Sequence, residues 1–230
     1  MTNTQQSDTE KLYNLLGELS DRVGGTRRLR DCTSSSGWPS HGVYFFFEDG
    51  ENRVNNSPRV VRIGTHALTT TSKTKLWNRL STHRGIVGGS RPGGGNHRAS
   101  IFRLHVGTSL LARGDWPDEV RSSWRNNNAG HTALQAEHAL EQAVTQNIGA
   151  MPFLWLAVPN REDRAAVERN TIGLLSCRNG SQDIASSRWL GLRAENEKVR
   201  TSALWNVNHV DDGYDPRYLE TFRALVRRHA

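Results

Sequence analysis

Arg79 and His83 lie four residues apart in a segment with helical spacing, so their side chains share one helix face. A guanidinium can hold an anion, and an imidazole can move a proton near neutral pH. Tyr44, at the end of a Gly-x-Tyr unit, adds a phenol that can orient or deprotonate water. Glu168, in a later predicted helix, adds an oxygen that can ligate Mg²⁺. Together they could hydrolyse a phosphodiester, which needs an activated water, a cation for the phosphate and help for the leaving oxygen.

Each of the four residues also has an ordinary structural interpretation. Tyr44 can be a packed strand residue, Arg79 and His83 a solvated helix face, and Glu168 a surface glutamate. No single residue decides between the two interpretations. Their occurrence together, in a definite order of elements, favours the chemical one.

The amino-acid composition limits the classes to which this protein can belong. The chain has 230 residues, of which 35% are hydrophobic and 23% charged, so it can bury the core of one domain with additions. No apolar run reaches membrane-span length, and the polar start lacks the features of a signal peptide, so we expect a cytoplasmic protein without a membrane partner. The two cysteines, Cys32 and Cys177, are too few for a disulfide framework or a zinc ribbon.

The formal net charge of +7 favours an anionic partner. Nucleic acid is the leading candidate, since a basic surface releases counterions when it binds a polyanion. DNA is the expected partner, and RNA stays open. Arginine is much commoner than lysine, which suits bidentate phosphate contacts and equally follows from a GC-rich coding bias.

Three apolar runs predict strands. Residues 42–47 and 60–64 are rich in aromatic and β-branched residues, and the polar residues 48–52 between them predict a hairpin turn. Residues 153–158 form a further apolar run bounded by prolines, which predicts a central strand. The predicted fold is therefore α/β in the α+β sense, with a small, mostly antiparallel central sheet flanked by helices.

Periodic apolar residues and caps predict the helices. We expect a helix from a capping box at Ser7, one over 73–84, one capped by Asn96, one over 132–147, one starting at Asn160, and a closing helix after Asp215. The glycines of 88–95 predict a flexible loop. The predicted organisation is an N-terminal helix and linker (1–36), a core (37–180) with a helical insertion at about 86–150, and a C-terminal extension (181–230).

The order of these elements resembles that of the GIY-YIG nuclease family. In that family a Gly-x-Tyr strand pairs with a Tyr-Ile-Gly strand, an arginine-bearing helix follows, and a later helix brings a metal-binding glutamate. Here Gly42-Val43-Tyr44 matches the first motif and Arg62-Ile63-Gly64 the second. The segment 167–179 looks like the family's final helix, with Glu168 followed by Asn179. The clearest departure is Arg62, which stands in place of the second motif's tyrosine.

The resemblance implies a metal-dependent DNA endonuclease. Water would be activated near Tyr44, Arg79 would stabilise charge on the phosphate, and Glu168 would hold a divalent ion, Mg²⁺ or Mn²⁺. His83 matches a histidine of the phage homing-endonuclease branch and would assist. The expected substrate-binding residues are Arg62, His66 and Asn179, and His66 or His83 could replace the missing phenol.

Two other functions stay open. The first is a nucleic-acid-binding module that keeps the fold and has lost cleavage, which Arg62 favours. The second is an interaction protein whose charge is incidental. Other polar clusters are weaker candidates for a metal: His131 and His138 are too far apart to share an ion, and Glu137 and Glu141 border an apolar stripe. The segment 206–212 has polar residues suited to a ligand and more readily reads as a strand and turn.

Overall fold

The computed structural model describes residues 3–126 and 130–229. Within them one four-stranded sheet is formed by β1 (Arg27–Arg28), β2 (Gly42–Asn52), β3 (Pro58–Gly64) and β4 (Pro152–Ala157). The spatial order is β1-β4-β2-β3, and every neighbouring pair is antiparallel. The predicted α+β class with a small antiparallel sheet is confirmed.

Helices cover the sheet. They are α1 (Asn3–Val23), α2 (Leu76–Arg84), α3 (Ile101–Arg113), α4 (Asp118–Trp124), α5 (His131–Ala136), α6 (His138–Ala150), α7 (Arg161–Leu175), α8 (Glu197–Ser202) and α9 (Tyr218–Arg228). The helix expected over 132–147 is thus two consecutive helices. The helix expected from Ser7 already begins at Asn3, so Ser7 is an interior residue and not a cap. None of the helices in the described ranges combines the length and apolar character of a membrane span.

Alternate residues of the strands enter two separate cores, as the period of two requires. Tyr44 and Phe46 face the core that includes α2, α3 and α6. Val43 and Phe45 face the core that includes α1, α7 and α9. Because both faces of the sheet are covered, residues 42–47 are apolar throughout and do not alternate with polar ones.

The hairpin turn lies later than residues 48–52, so that prediction was wrong. Strand β2 continues to Asn52, and the chain reverses where the Arg53 amide donates to the Ser57 carbonyl at 2.9 Å. The expected turn residues instead lie in an irregular stretch of strand, where Gly50 has a φ of 86°. Glycine allows this conformation without a steric cost, so it marks a strand irregularity here and not a turn.

Strand β3 has a bulge at Val61, because Phe46 pairs with Arg62 while Phe47 pairs with Val60. The freed Val61 carbonyl accepts a hydrogen bond from the Trp205 amide at 2.7 Å. The side-chain amide of the next residue, Asn206, accepts from the Ile63 N–H at 3.1 Å and donates to the Ile63 carbonyl at 2.8 Å. The C-terminal segment therefore pairs with the outer edge of β3 near its end.

Candidate active site

Tyr44 and Gly64, one from each motif strand, are directly opposite each other in the sheet. A β-carbon built at Gly64 would lie 2.3 Å from the Tyr44 hydroxyl oxygen, far inside van der Waals contact. Only glycine at this position leaves room for the phenol. The glycine of the second motif therefore sets where the first motif's tyrosine lies.

The Tyr44 hydroxyl is hydrogen-bonded to His83, the histidine of helix α2. The hydroxyl oxygen lies 2.8 Å from His83 Nε2, and the other ring nitrogen, Nδ1, lies 2.8 Å from the Ser100 hydroxyl. Tyr44 and His83 are both 0% exposed. Burial, reinforced by the positive charges of Arg79, Arg62 and Arg103, holds the pKa of His83 well below its ordinary value. The imidazole is therefore neutral at pH 7.

Arg62 lies on the same face of the sheet as Tyr44 and is 6% exposed. It donates to the Trp205 carbonyl, and its guanidinium carbon lies 5.4 Å from the centre of the Phe102 ring. Burial lowers the pKa of Arg62, while Tyr44 and Glu168 raise it. A guanidinium stays charged under such shifts, so a fixed cation stands where the family pattern has a phenol.

Glu168 is half-buried on α7, the helix that follows strand β4. Its Oε1 accepts a hydrogen bond from the Thr65 N–H at 3.1 Å, just after the end of β3. Burial raises the pKa of this carboxyl, and the charges of Arg62, His209 and Arg79 act in the opposite direction. Glu168 therefore lies near basic side chains contributed by three separate segments of the chain.

Arg79 is half-buried on α2, and within the described residues its one hydrogen bond, from Nη1 to the Ala99 carbonyl, is long at 3.4 Å. Its positive charge helps to lower the pKa values of His83 and His66 and to oppose the raised pKa of Glu168. A side chain held by a single long bond can turn toward an anion with little loss.

His66 and Asn179 have different placements. His66 follows β3, is 6% exposed, lies 3.3 Å from the Ser40 carbonyl through Nε2 and stacks on the ring of His41. Burial lowers the pKa of His66 to about 4, and the charge of Arg79 contributes to this shift. His66 therefore lies beside the site. Asn179 lies beyond the end of α7, and its amide donates to the carbonyls of Gly173 and Asp212 at 3.0 and 2.7 Å. It is not brought into contact with Tyr44 or Glu168.

The donor set around Glu168 decides which metal could bind. Within residues 3–126 and 130–229 no group of three His, Cys, Asp or Glu side chains could hold an ion. Glu141, part of the other cluster considered, is hydrogen-bonded to His97 and Arg103. Glu168 Oε2 accepts no hydrogen bond from any residue that the structure describes. One free carboxylate oxygen fits Mg²⁺, which keeps most of its waters, and does not fit a structural zinc site.

Sequence reasoning missed two residues that hold the site together. Thr65 binds Glu168 through its backbone amide, a contact that no side-chain pattern reveals. Ser100 binds His83 and also begins α3, where its side chain accepts from the Arg103 amide. A serine before an apolar periodic segment is a helix-start signal. The prediction that Asn96 caps this helix was wrong, because Asn96 caps the short turn before it.

Comparison with known proteins gives one match. A family model described as the GIY-YIG domain matches residues 3–230. No curated protein and no solved structure matches at a significant level. Because the family match covers the sheet, helices α2 and α7 and the C-terminal segment alike, this chain belongs to the GIY-YIG domain family and hence to a nuclease superfamily.

Proposed function

We propose that this protein is a metal-dependent endonuclease that hydrolyses DNA phosphodiester bonds. The observation that carries the proposal is the hydrogen bond of 2.8 Å between Tyr44 and His83, in a site that also contains the charges of Arg79 and Glu168. Family membership supports the nuclease class. The net charge of +7 supports a nucleic acid as substrate.

In the proposed reaction Arg79 binds a non-bridging oxygen of the scissile phosphate and stabilises the charge that grows there. The deprotonated Tyr44 phenol takes one proton from a water molecule. The water oxygen forms the new bond to phosphorus while the bond from phosphorus to the 3′-oxygen breaks, and the leaving oxygen takes its proton from solvent. The products are a 5′-phosphate and a 3′-hydroxyl.

Glu168 would hold the divalent ion through its free carboxylate oxygen. When bound, Mg²⁺ or Mn²⁺ would neutralise charge on the phosphate and on the leaving 3′-oxygen. Arg62 has a different task. Its buried cation interacts with Tyr44 and Glu168, so it would favour the charged form of both groups. In this proposal a fixed positive charge beside Tyr44 replaces the second phenol of the family pattern.

A second candidate function is nucleic-acid binding without cleavage. Tyr44 and His83 are 0% exposed, so no water reaches the phenol in this conformation. Cleavage requires that the site opens when substrate binds, and Arg79 is the side chain most free to move because of its single long hydrogen bond. If the site never opens, the same basic surface would still bind a polyanion.

Incubation of the purified protein with supercoiled plasmid, and in parallel with labelled RNA, tests both candidates. Each substrate is given Mg²⁺, Mn²⁺ or a chelator. The endonuclease proposal expects nicked or linear plasmid in the presence of either metal and none with the chelator. Salt-sensitive binding without any cleavage supports the binding module instead, and cleavage of RNA alone would overturn DNA as the substrate.

A further inference from the structure

We propose that Ser100 is a positioning residue that makes His83 a hydrogen-bond donor to Tyr44. The inference rests on the proposed function, because it concerns how the Tyr44 phenol is prepared to take a proton from water. It assigns a task to the helical insertion, which contributes Ser100 from the start of α3.

The hydrogen-bond partners of the Ser100 side chain, together with a deprotonated Tyr44, determine the direction of this bond. Ser100 is 1% exposed, so its hydroxyl proton has no access to bulk water. The hydroxyl oxygen accepts from the Arg103 amide at 3.3 Å as the cap of α3. In the described part of the chain its other partner is His83 Nδ1 at 2.8 Å. The buried Tyr44 hydroxyl has His83 Nε2 as its partner in the same way, and a neutral imidazole accepts from only one of the two hydroxyls. In the proposed reaction Tyr44 is deprotonated, so the Ser100 proton is the one that points at the ring, at Nδ1.

An imidazole that accepts at Nδ1 carries its own proton on Nε2. Burial keeps His83 neutral, and the positive charges of Arg79 from its own helix, Arg62 from β3 and Arg103 from α3 act in the same direction. The other rings that face it are Tyr44 and Phe46 from β2 and Phe102 from α3. His83 therefore donates from Nε2 to the Tyr44 oxygen at 2.8 Å.

The direction of this bond matters for the chemistry. A donor at the phenol oxygen stabilises the deprotonated phenol, which is the form that accepts a proton from water. The opposite tautomer would accept the phenol proton and leave the oxygen without that donor. Ser100 therefore selects the tautomer that favours a reactive Tyr44.

The insertion also fixes the backbone of His83. Arg103 Nη1 donates to the His83 carbonyl at 2.8 Å, and the same guanidinium bonds Glu141 and Thr145 of α6. A β-carbon at Gly95 would lie 2.1 Å from Arg103 Nη2, so the glycine-rich loop leaves the space that this side chain fills. Both ring nitrogens and the carbonyl of His83 are thus bound by fixed partners.

The first measurement is independent of cleavage. In the full-length wild-type protein with a ¹⁵N-labelled histidine, long-range ¹H–¹⁵N spectra report which nitrogen of His83 carries the proton, with His83→Gln used to assign the signal. We expect a protonated Nε2 between pH 7 and 8. A protonated Nδ1 would overturn the proposal even in an active enzyme. A protonated Nε2 in a protein that does not cleave would support the proposed direction of the hydrogen bond and contradict the proposed nuclease function.

The second measurement uses Ser100→Gly, because glycine is tolerated at a helix cap and removes the hydroxyl together with its β-carbon. We expect kcat at pH 7 to fall about 10-fold to 100-fold, as is typical when a supporting hydrogen bond is lost. The acidic limb of the pH–rate profile should move to higher pH, and Ser100→Thr, which restores the hydroxyl, should recover most of the rate.

Asn196→Gly is the matched control, because Asn196 caps α8 in the same way through the Lys198 amide. It should lower the Tm by a similar amount and leave the pH–rate profile unchanged. If Ser100→Gly matches this control in both respects, Ser100 is only a helix cap and the proposal fails.

Discussion

The candidate site has two halves, Tyr44 with His83 and Arg79 with Glu168, which differ in burial and in hydrogen bonding. Tyr44 and His83 are fully buried, and each hydrogen-bonds to a neutral partner at 2.8 Å. Arg79 and Glu168 are half-buried, and among the residues that the structure describes each side chain makes one hydrogen bond, to a backbone group at 3.1 Å or more. The polar groups of the first half are already hydrogen-bonded within the protein, whereas those of the second half can still form hydrogen bonds to a ligand.

This difference separates two tasks that a nuclease site must perform. Charged groups with unused hydrogen-bond capacity are suited to a phosphate and a metal ion, whose charges compensate theirs. A buried, fully bonded pair is suited to hold a proton in one place, because every donor and acceptor has a defined partner. The predictions below test whether the two halves act together.

The largest effect is expected for Glu168→Gln, which keeps the shape of the side chain and removes its charge. Loss of even a supporting group at a metal site costs about 10-fold to 100-fold, so loss of the ligand itself should reduce metal-stimulated plasmid cleavage by more than about 100-fold. Cleavage rates at increasing Mg²⁺ concentrations provide the test. Glu162→Gln, at an exposed position of the same helix, is the control and should cleave normally. A normal cleavage rate in both variants would show that Glu168 does not hold the metal.

Tyr44→Phe tests the buried half. General acid–base catalysis contributes about 10²-fold to 10⁴-fold, so the single-turnover rate should fall within that range if the phenol takes a proton from water. Tyr214→Phe removes another tyrosine hydrogen bond, to Asp8, on the opposite side of the sheet and should leave the rate unchanged. A variant Tyr44→Phe with full activity and a lowered Tm would make the buried half purely structural.

Arg79→Lys should separate rate from affinity. Lysine keeps the charge but loses the planar fork, so we expect kcat to fall by about 10-fold or more while the Kd for DNA changes by less than about threefold. Arg223→Lys on α9, where the arginine pairs with Glu220, controls for the exchange of one cation for another. Equal losses in kcat and affinity would show that Arg79 contacts the DNA backbone in general and not the scissile phosphate in particular.

The smallest effect concerns stability against pH. Burial lowers the pKa values of His66 and His105 to about 4, below the ordinary value near 6.5 that they regain on unfolding. The unfolded chain then binds more protons between pH 6.5 and 4, so the stability present above about pH 6.5 is lost progressively as the pH falls. The slope approaches about 1.4 kcal/mol per pH unit for each histidine.

Urea unfolding at pH 7, 6 and 5 measures this slope. His105→Leu should flatten it, since the His105 Nε2 atom has no hydrogen-bond partner in the described ranges and the side chain is buried in α3. His131→Leu, at an exposed position, should leave the slope as it is in the wild type. An identical slope in all three proteins would show that the buried histidines do not control acid stability.

Much of this architecture follows from local sequence. Strand β4 and helix α7 begin within one residue of their predicted starts, because prolines and an Asn cap mark those boundaries. Arg79 and His83 share a helix as their spacing of four predicts. The predicted hairpin turn was misplaced because glycine, here Gly50, is a residue type typical of turns. The register of β2 and β3 is instead set by the two cores.

The remaining features depend on contacts between distant segments. The bond from Thr65 to Glu168 joins residues 103 positions apart and involves a backbone amide. The two-residue strand β1 lies in a segment that reads as a polar linker, because its pairing with β4 requires no apolar side chains. Roles for His66 and Asn179 stay predictions, since the structure fixes their positions and not their ligands.

The side chain of Asn206 has a consequence for how this protein can be divided. With its two bonds to Ile63 it satisfies backbone groups on the outer edge of β3. A fragment ending near residue 180 would expose this strand edge, together with the apolar surface that Trp205 covers. Exposed edges recruit strands from other molecules, so such a fragment should self-associate and aggregate. Solubility therefore depends on residues far in sequence from the motif strands, and an expression fragment has to include them.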